Sequence, residues 1–408
     1  MAATSVVVFC GERPAFPQPH TFSPIMTKGR ASMETYTCQD YVYIIKPDGT
    51  AAIKDYKNTH TEPFALEIPA ELDGHRVTSI ASGAFSFCKN LNSVTVPAVV
   101  TRIQGEAFSD CYDLQNAELP EGLTFLGNRA FVCCKALERI NLPRSLTRMD
   151  EAVFTSCYSL EEIIVAPDHP MLTYTDHMLI DKTRQILLKR PAAAPGDQVV
   201  VPEGIRQIAV GAFGYCSMLT RITLPESVTD IDHHAFNSCY NLTDINLPRG
   251  LQSLGSSAFK DCTALKHISI PGSISVLDYE IFSGCEELET IDLHTGLREI
   301  SVRAFCECVS LKGITIPEGV TTIDKGAFYG CKNMTRTVLP ASLSSIASYD
   351  PFDEDDAIVA GNMFANPAFN GCSSIHFVVT EGSYAHQWCR EHFRPCTFTP
   401  GVTGNGNN

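Results

Sequence analysis

The amino-acid sequence predicts a repeat solenoid, a coil of 23-residue units with a parallel β-sheet on one face and short helical or 3₁₀ turns, capped at both ends. Two observations carry that prediction. Eleven times the chain reads Phe-x-x-Cys, at Phe85/Cys88, Phe108/Cys111, Phe131/Cys134, Phe154/Cys157, Phe213/Cys216, Phe236/Cys239, Phe259/Cys262, Phe282/Cys285, Phe305/Cys308, Phe328/Cys331 and Phe369/Cys372. The phenylalanines step by 23 residues from 85 to 154 and again from 213 to 328, a register that marks a repeat array. The second observation is the apolar pattern downstream of each Phe. A Leu stands six residues on (Met334 after Phe328), then an alternating pair such as Ile222/Leu224 or Ile314/Ile316, then usually Pro, then two more apolar anchors such as Val228/Ile231.

Each part of the unit has a physical reading. L-x-x-I-x-L ends in period-2 alternation, the mark of a short strand with one buried face. Pro directly after it lacks the backbone donor that would extend the ladder. Ala-Phe-x-x-Cys then forms the turn that drops Phe and Cys into the core. One unit cannot bury its own apolar residues, but units stacked at about 4.8 Å can. Roughly eleven coils at that spacing give a rod on the order of 55 Å long.

In chain order, residues 1–35 read as a disordered leader, in which Pro14, Pro17, Pro19 and Pro24 follow the short apolar run Val6 to Cys10. That run lacks a basic flank and is too short for a signal-peptide core. Residues 36–80 form an amino-terminal cap, with Val77 and Ile80 already in phase with Phe85. A first block of repeats spans 81–165. Residues 166–201 interrupt it with Met178 to Ile180 and Gln185 to Leu188 around Asp181-Lys182-Thr183-Arg184, a β-hairpin insert. A second block spans 202–346, an acidic loop 347–364, the last repeat and carboxy-terminal cap 365–398, and a disordered tail 399–408.

The string A-F-x-x-C-x-x-L-x-x-I-x-L-P-x-x-V-x-x-I resembles the BspA-type, or Treponema-type, leucine-rich repeat over residues of about 40–380. The resemblance implies a right-handed leucine-rich-repeat coil, a cap at each end and a capping helix near Ser383 to Cys389. It also implies a bacterial, often surface-exposed protein that adheres to host or matrix proteins.

Composition excludes several functions. Lys plus Arg is 31 and Asp plus Glu is 46, a net charge of −15, which opposes sequence-independent nucleic-acid binding and docking on anionic lipid. No apolar run approaches the roughly 18 residues of a membrane helix. With no export signal visible, the sequence alone reads as cytoplasmic, whereas the resemblance places the chain at the cell surface. Of the 17 cysteines, the eleven of the Phe-x-x-Cys ladder read as a column of reduced, buried hydrophobes, because one column at identical positions has no preferred pairing. Cys133 and Cys306 add a thiol at what reads as a more exposed turn position. His233-His234 reads as a solvated turn, and Asp168-His169 and Asp176-His177 as insert surface. Asp353 to Asp356 lacks calcium-loop spacing. No G-x-x-x-x-G-K-[ST], G-x-S-x-G or H-E-x-x-H occurs. The sequence therefore argues for no cofactor, no metal and no catalytic residue, with a thiol-redox or hydrolytic enzyme as the remote alternative.

The remaining candidate is the exposed strand face, seven, eight and ten residues after each Phe. It carries seven acidic residues, five Lys or Arg and no aromatic ring. Glu118, Arg139, Asn141, Arg221, Asp244, Asn246, His267, Asp292 and Arg336 are its candidate partner-binding residues. The reading is a monomer that binds a protein partner through this face, as an adhesin or, alternatively, as an intracellular interaction scaffold; plain solvated surface is the equal rival reading of the same residues. A row of Tyr one residue after the ladder Cys (Tyr112, Tyr158, Tyr240) is a second, weaker strip.

Overall fold

A computed structural model describes residues 34–348 and 367–399. The expected leader up to residue 33, the acidic loop with Asp353 to Asp356 and the tail beyond Thr399 lie outside the described residues. The chain is a solenoid of about 14 turns. Each regular coil gives two strands, not one. In the coil headed by Phe213 they are Arg221–Thr223 and Asp230–Ile231. Both stack in parallel on the equivalent strands of neighbouring coils at a 23-residue register, as in Arg139↔Glu162 and Phe125↔Arg148. To the parallel sheet expected from the sequence each coil thus adds a second, shorter parallel ladder. The second strand is two residues long, too short to show alternation; its buried member is the second of the two apolar anchors, Ile231 in this coil.

The turns are not helical either. Phe85 N–H donates to Ala107 C=O at 2.8 Å and Phe87 N–H to Ser109 C=O at 2.8 Å, both in the next coil. The alternate N–H groups close within the coil, Ser86 on Gly83 at 3.0 Å and Cys88 on Phe85 at 3.3 Å. Half the donors that a 3₁₀ turn would use internally thus bind the neighbouring coil instead. This zigzag needs two left-handed residues per coil, such as Arg129 (φ 57°) and Cys133 (φ 59°) on either side of Phe131.

Inside, the ladder residues form two columns. The Phe rings stack nearly parallel, for example Phe85 on Phe108 at 5.1 Å and Phe328 on Phe369 at 5.0 Å between centroids. The eleven ladder cysteines are buried and unpaired. Tyr56 caps the ring column, 5.4 Å from Phe85. Beside it, Thr35–Cys38, Tyr41–Ile45 and Ala51–Tyr56 form an antiparallel meander whose last strand joins His75–Ile80 in parallel. At the other end Phe369, Phe377 and Trp388 pack together. Trp388 belongs to the helix α1 (Tyr384–Glu391), capped by Ser383. A further strand, Cys396–Phe398, pairs with His376–Val379.

The ring column breaks once. Between Phe154 and Phe213 the chain inserts Leu172–Thr175, Met178–Asp181 and Ile186–Lys189 as an antiparallel meander, and Arg190 takes the backbone place of a Phe. Arg190 N–H donates to Ala212 C=O at 2.8 Å, as Phe213 N–H does to Ala235 C=O. Eight residues later Gln198–Val200 pairs with Arg221–Thr223, the usual offset. This coil carries no Phe-x-x-Cys, so the eleven-coil count missed it. Its buried Arg190 donates to the carbonyls of Ala194, Pro195 and Gly196, and the neighbouring Lys189 to those of Gly211 and Gly214.

Candidate functional site

The nine candidate residues fall on four separate first-strand ladders. Glu118, Arg139 and Asn141 lie on the ladder from Phe64–Glu67 to Glu162–Val165. Arg221 and Asp244 lie on the next, with Asn246 just past its end. His267 and Asp292 share a two-stranded ladder, and Arg336 belongs to a fourth. All nine are exposed, because each stands next to an inward-facing residue and so points outward on the pleated strand.

Most of the charges are paired within the face. Arg221 Nε lies 2.9 Å from Asp244 Oδ2, Arg139 Nε 3.8 Å from Glu162, and Lys312 Nζ 2.6 Å from Glu289. His267 meets Thr290 Oγ1 at 2.9 Å and Asp292 at 3.5 Å. Register explains this: the 23-residue step puts position n opposite n + 23, and opposite signs there attract. The Lys312 ammonium holds the Glu289 carboxyl below the ordinary range. Asn246 has another role. Its Oδ1 accepts Leu224 N–H and its Nδ2 donates to Leu224 C=O, both at 2.8 Å, so it completes the sheet.

The sequence reading placed Ile164 on this face but missed a second apolar residue, Val200. Ile164 is 45% exposed and Val200 67%, each at the third candidate position of its coil, on either side of the insert. Val200 was missed because Arg190 hides the coil that carries it.

Three other expectations are corrected. His169 is not insert surface but fully buried. Its Nδ1 accepts the N–H groups of Met171 and Leu172 at 3.2 and 3.1 Å, and its Nε2 donates to Pro143 C=O at 3.2 Å. That set fixes a neutral Nε2–H imidazole, and burial holds its pKa below the ordinary value. Cys306 is only 2% exposed, with the Arg303 guanidinium 3.6 Å from its sulfur, and burial pushes its thiol up. His233 is exposed, but its neighbour His234 is half-buried and held down to about 4 by burial. Cys133 is half-buried, and burial raises its thiol too.

The described residues contain no group of three or more His, Cys, Asp or Glu side chains set to hold a metal ion. No described helix is long and apolar enough to cross a membrane.

Comparison with known proteins agrees with this geometry. The BspA type leucine rich repeat region matches in six copies, over residues 73–178, 196–303 and 252–354. A leucine-rich repeat protein from Eubacterium ventriosum is similar in fold, with a TM-score of 0.64 at 23% identity over 92% of this chain and 99% of that one. The pneumococcal vaccine antigen PcpA is similar at a TM-score of 0.52 and 16% identity, over 90% of this chain and 99% of its own. No curated protein sequence matches the chain.

Proposed function

Because this chain belongs to the BspA-type leucine-rich repeat family, we propose that it is a non-catalytic binding protein whose first-strand face meets a protein partner. The observation that carries this reading is the pair Ile164 and Val200. Two large apolar side chains stand exposed on the end strands of two first-strand ladders, either side of the insert, and the charges along those ladders are mostly neutralised by one another. Protein interfaces have this build, an apolar centre within a polar rim. The adhesin role fits the same face: PcpA, similar in fold, is a vaccine antigen.

The test is site-specific photocrosslinking in native cells. A photoreactive residue at Asn141 or Thr223 should trap a protein adduct, and one at Ser253, on the second ladder, should not. Ile164→Asp and Val200→Asp should each abolish the adduct. Adducts that form equally from both ladders, or none at all, would refute the reading. Protease shaving of intact cells separates the two settings: released peptides of this chain mean a surface adhesin. Peptides found only after lysis mean an intracellular scaffold, the reading that the unpaired thiols favour.

A further inference from the structure

The second ladder carries a feature that the proposed protein interface does not use. Arg102, Phe125 and Arg148 occupy equivalent positions on three adjacent strands. The Arg102 guanidinium sits over one face of the Phe125 ring at 4.2 Å from its centroid, and Arg148 lies over the ring at 5.2 Å. Phe125 is 6% exposed, so the two guanidiniums cover it while both arginines remain open to solvent. A guanidinium stacked on a ring has lost much of its rotamer freedom but keeps its edge N–H donors. Arg148 spends part of its capacity on Asp150, at 3.2 Å. Arg102 has no ion pair with any described residue.

Beside this row runs a column of threonines. Thr101, Thr124 and Thr147 each donate their hydroxyl proton to the Thr carbonyl of the preceding coil, at 3.3, 3.0 and 3.2 Å. The donor of each hydroxyl is therefore used, and its remaining lone pairs are acceptors. The strands of Arg102 and Phe125 are paired on both sides, so no peptide can add to them as a strand, and the strand of Arg148 ends this ladder. The face thus asks for anions opposite the two arginines and for hydrogen-bond donors opposite the threonines, which regularly spaced hydroxyls can supply. The arginines stand two strands apart, about 10 Å. Farther along the ladder the same position reads Asp230, Ser253, Val276 and Glu299, so the basic stretch is confined to the first block.

We propose that the Arg102–Phe125–Arg148 row and its threonine column form a docking strip for an acidic polysaccharide. Such a polymer carries regularly spaced carboxylates or sulfates together with hydroxyl donors, and both match this surface. An acidic peptide supplies the charge without the hydroxyls. A neutral glycan supplies the hydroxyls without the charge.

The experiment measures binding of the purified full chain to four soluble polymers by calorimetry at low salt: polygalacturonate, heparin, polyglutamate and dextran. Binding to polygalacturonate or heparin, weakened by added salt and at least tenfold tighter than to polyglutamate or dextran, is expected. Which of the two binds better tells a uronate source from a sulfate source. Arg102→Gln should weaken binding about tenfold and Thr124→Val a few-fold, while Arg249→Gln, at an exposed turn of the second block, should leave it unchanged. Each variant is checked by its thermal melt, and Arg148→Gln serves if Arg102→Gln unfolds. Polyglutamate binding as tight as the polysaccharides would make this an acidic-peptide surface and overturn the proposal. Absent binding, or equal losses in the Arg102 and Arg249 variants, would overturn it as well.

Discussion

The Cys262 thiol donates to the Phe236 carbonyl at 3.2 Å. That carbonyl already accepts Cys239 N–H of its own coil at 3.2 Å, so the sulfur takes its second lone pair. The same bond recurs along the column, from Cys111 to Phe85, Cys285 to Phe259 and Cys331 to Phe305. It gives a physical reason for cysteine at this position: the side chain is a small apolar group with one weak donor. Serine would have a shorter reach and a greater desolvation cost, and alanine no donor at all.

Cys262→Ala should therefore destabilise by about 1 kcal/mol or slightly more, from the lost bond and a small void. Urea unfolding measures it. The same burial makes the ladder unreactive, with the Cys88 and Cys157 thiols pushed up to about 12. A thiol reagent at pH 8 should label the half-buried Cys38, Cys133 and Cys396 in the native chain, and the ladder only after denaturation. Rapid native labelling of the ladder cysteines would contradict the buried column.

Phe259 is fully buried between the rings of Phe236 and Phe282, at 5.1 and 5.6 Å. Phe259→Ala should cost about 3–5 kcal/mol. Thr223→Ala, on the exposed first-strand face, should cost well under 1 kcal/mol. Equal melting temperatures would mean that the register is wrong.

His169 predicts a pH dependence with a definite sign. Burial keeps its folded pKa below the ordinary value, so the unfolded chain takes up a proton near pH 6.5 that the folded chain refuses. Its contribution to stability is full above about pH 6.5 and shrinks as pH falls from there towards the folded pKa. His169→Asn keeps an acceptor for the Met171 and Leu172 N–H groups and removes the titration. Urea midpoints at pH 7.5 and 5 should differ more for the wild type than for this variant.

Gly255 is required by close packing of backbones. A Cβ there would lie 2.5 Å from His233 N and 2.6 Å from Asp232 C. Gly255→Ala should cost about 2–3 kcal/mol, because backbone atoms of the neighbouring coil cannot swing aside. A neutral effect in thermal melting would show that the coils separate more easily than the packing implies.

Asn246 and Arg221 look alike in sequence and should behave differently. Asn246→Ala removes two hydrogen bonds to Leu224 and should cost about 1–2 kcal/mol. Arg221→Ala removes an exposed ion pair and should cost less than about 1 kcal/mol. Equal losses would mean that the Arg221–Asp244 pair is structural.

The repeat, its period and the inward-facing residues are legible in the sequence alone. A side chain that must be buried in every coil recurs in every coil, so Phe85 to Phe369 and the cysteines beside them announce themselves. The contacts between coils are legible only once the coils are stacked. The second ladder rests on two-residue strands that have no period of their own, and Phe125 turns out to be clasped by arginines 23 residues away on each side. The coil of Arg190 was hidden because backbone hydrogen bonds, not a side-chain motif, define it. His169 looked like surface because a histidine's burial depends on the three backbone groups that satisfy it, and those come from Pro143, Met171 and Leu172. Repetition writes core contacts into sequence. Contacts that occur once are settled by which groups the stacked coils bring within hydrogen-bonding reach.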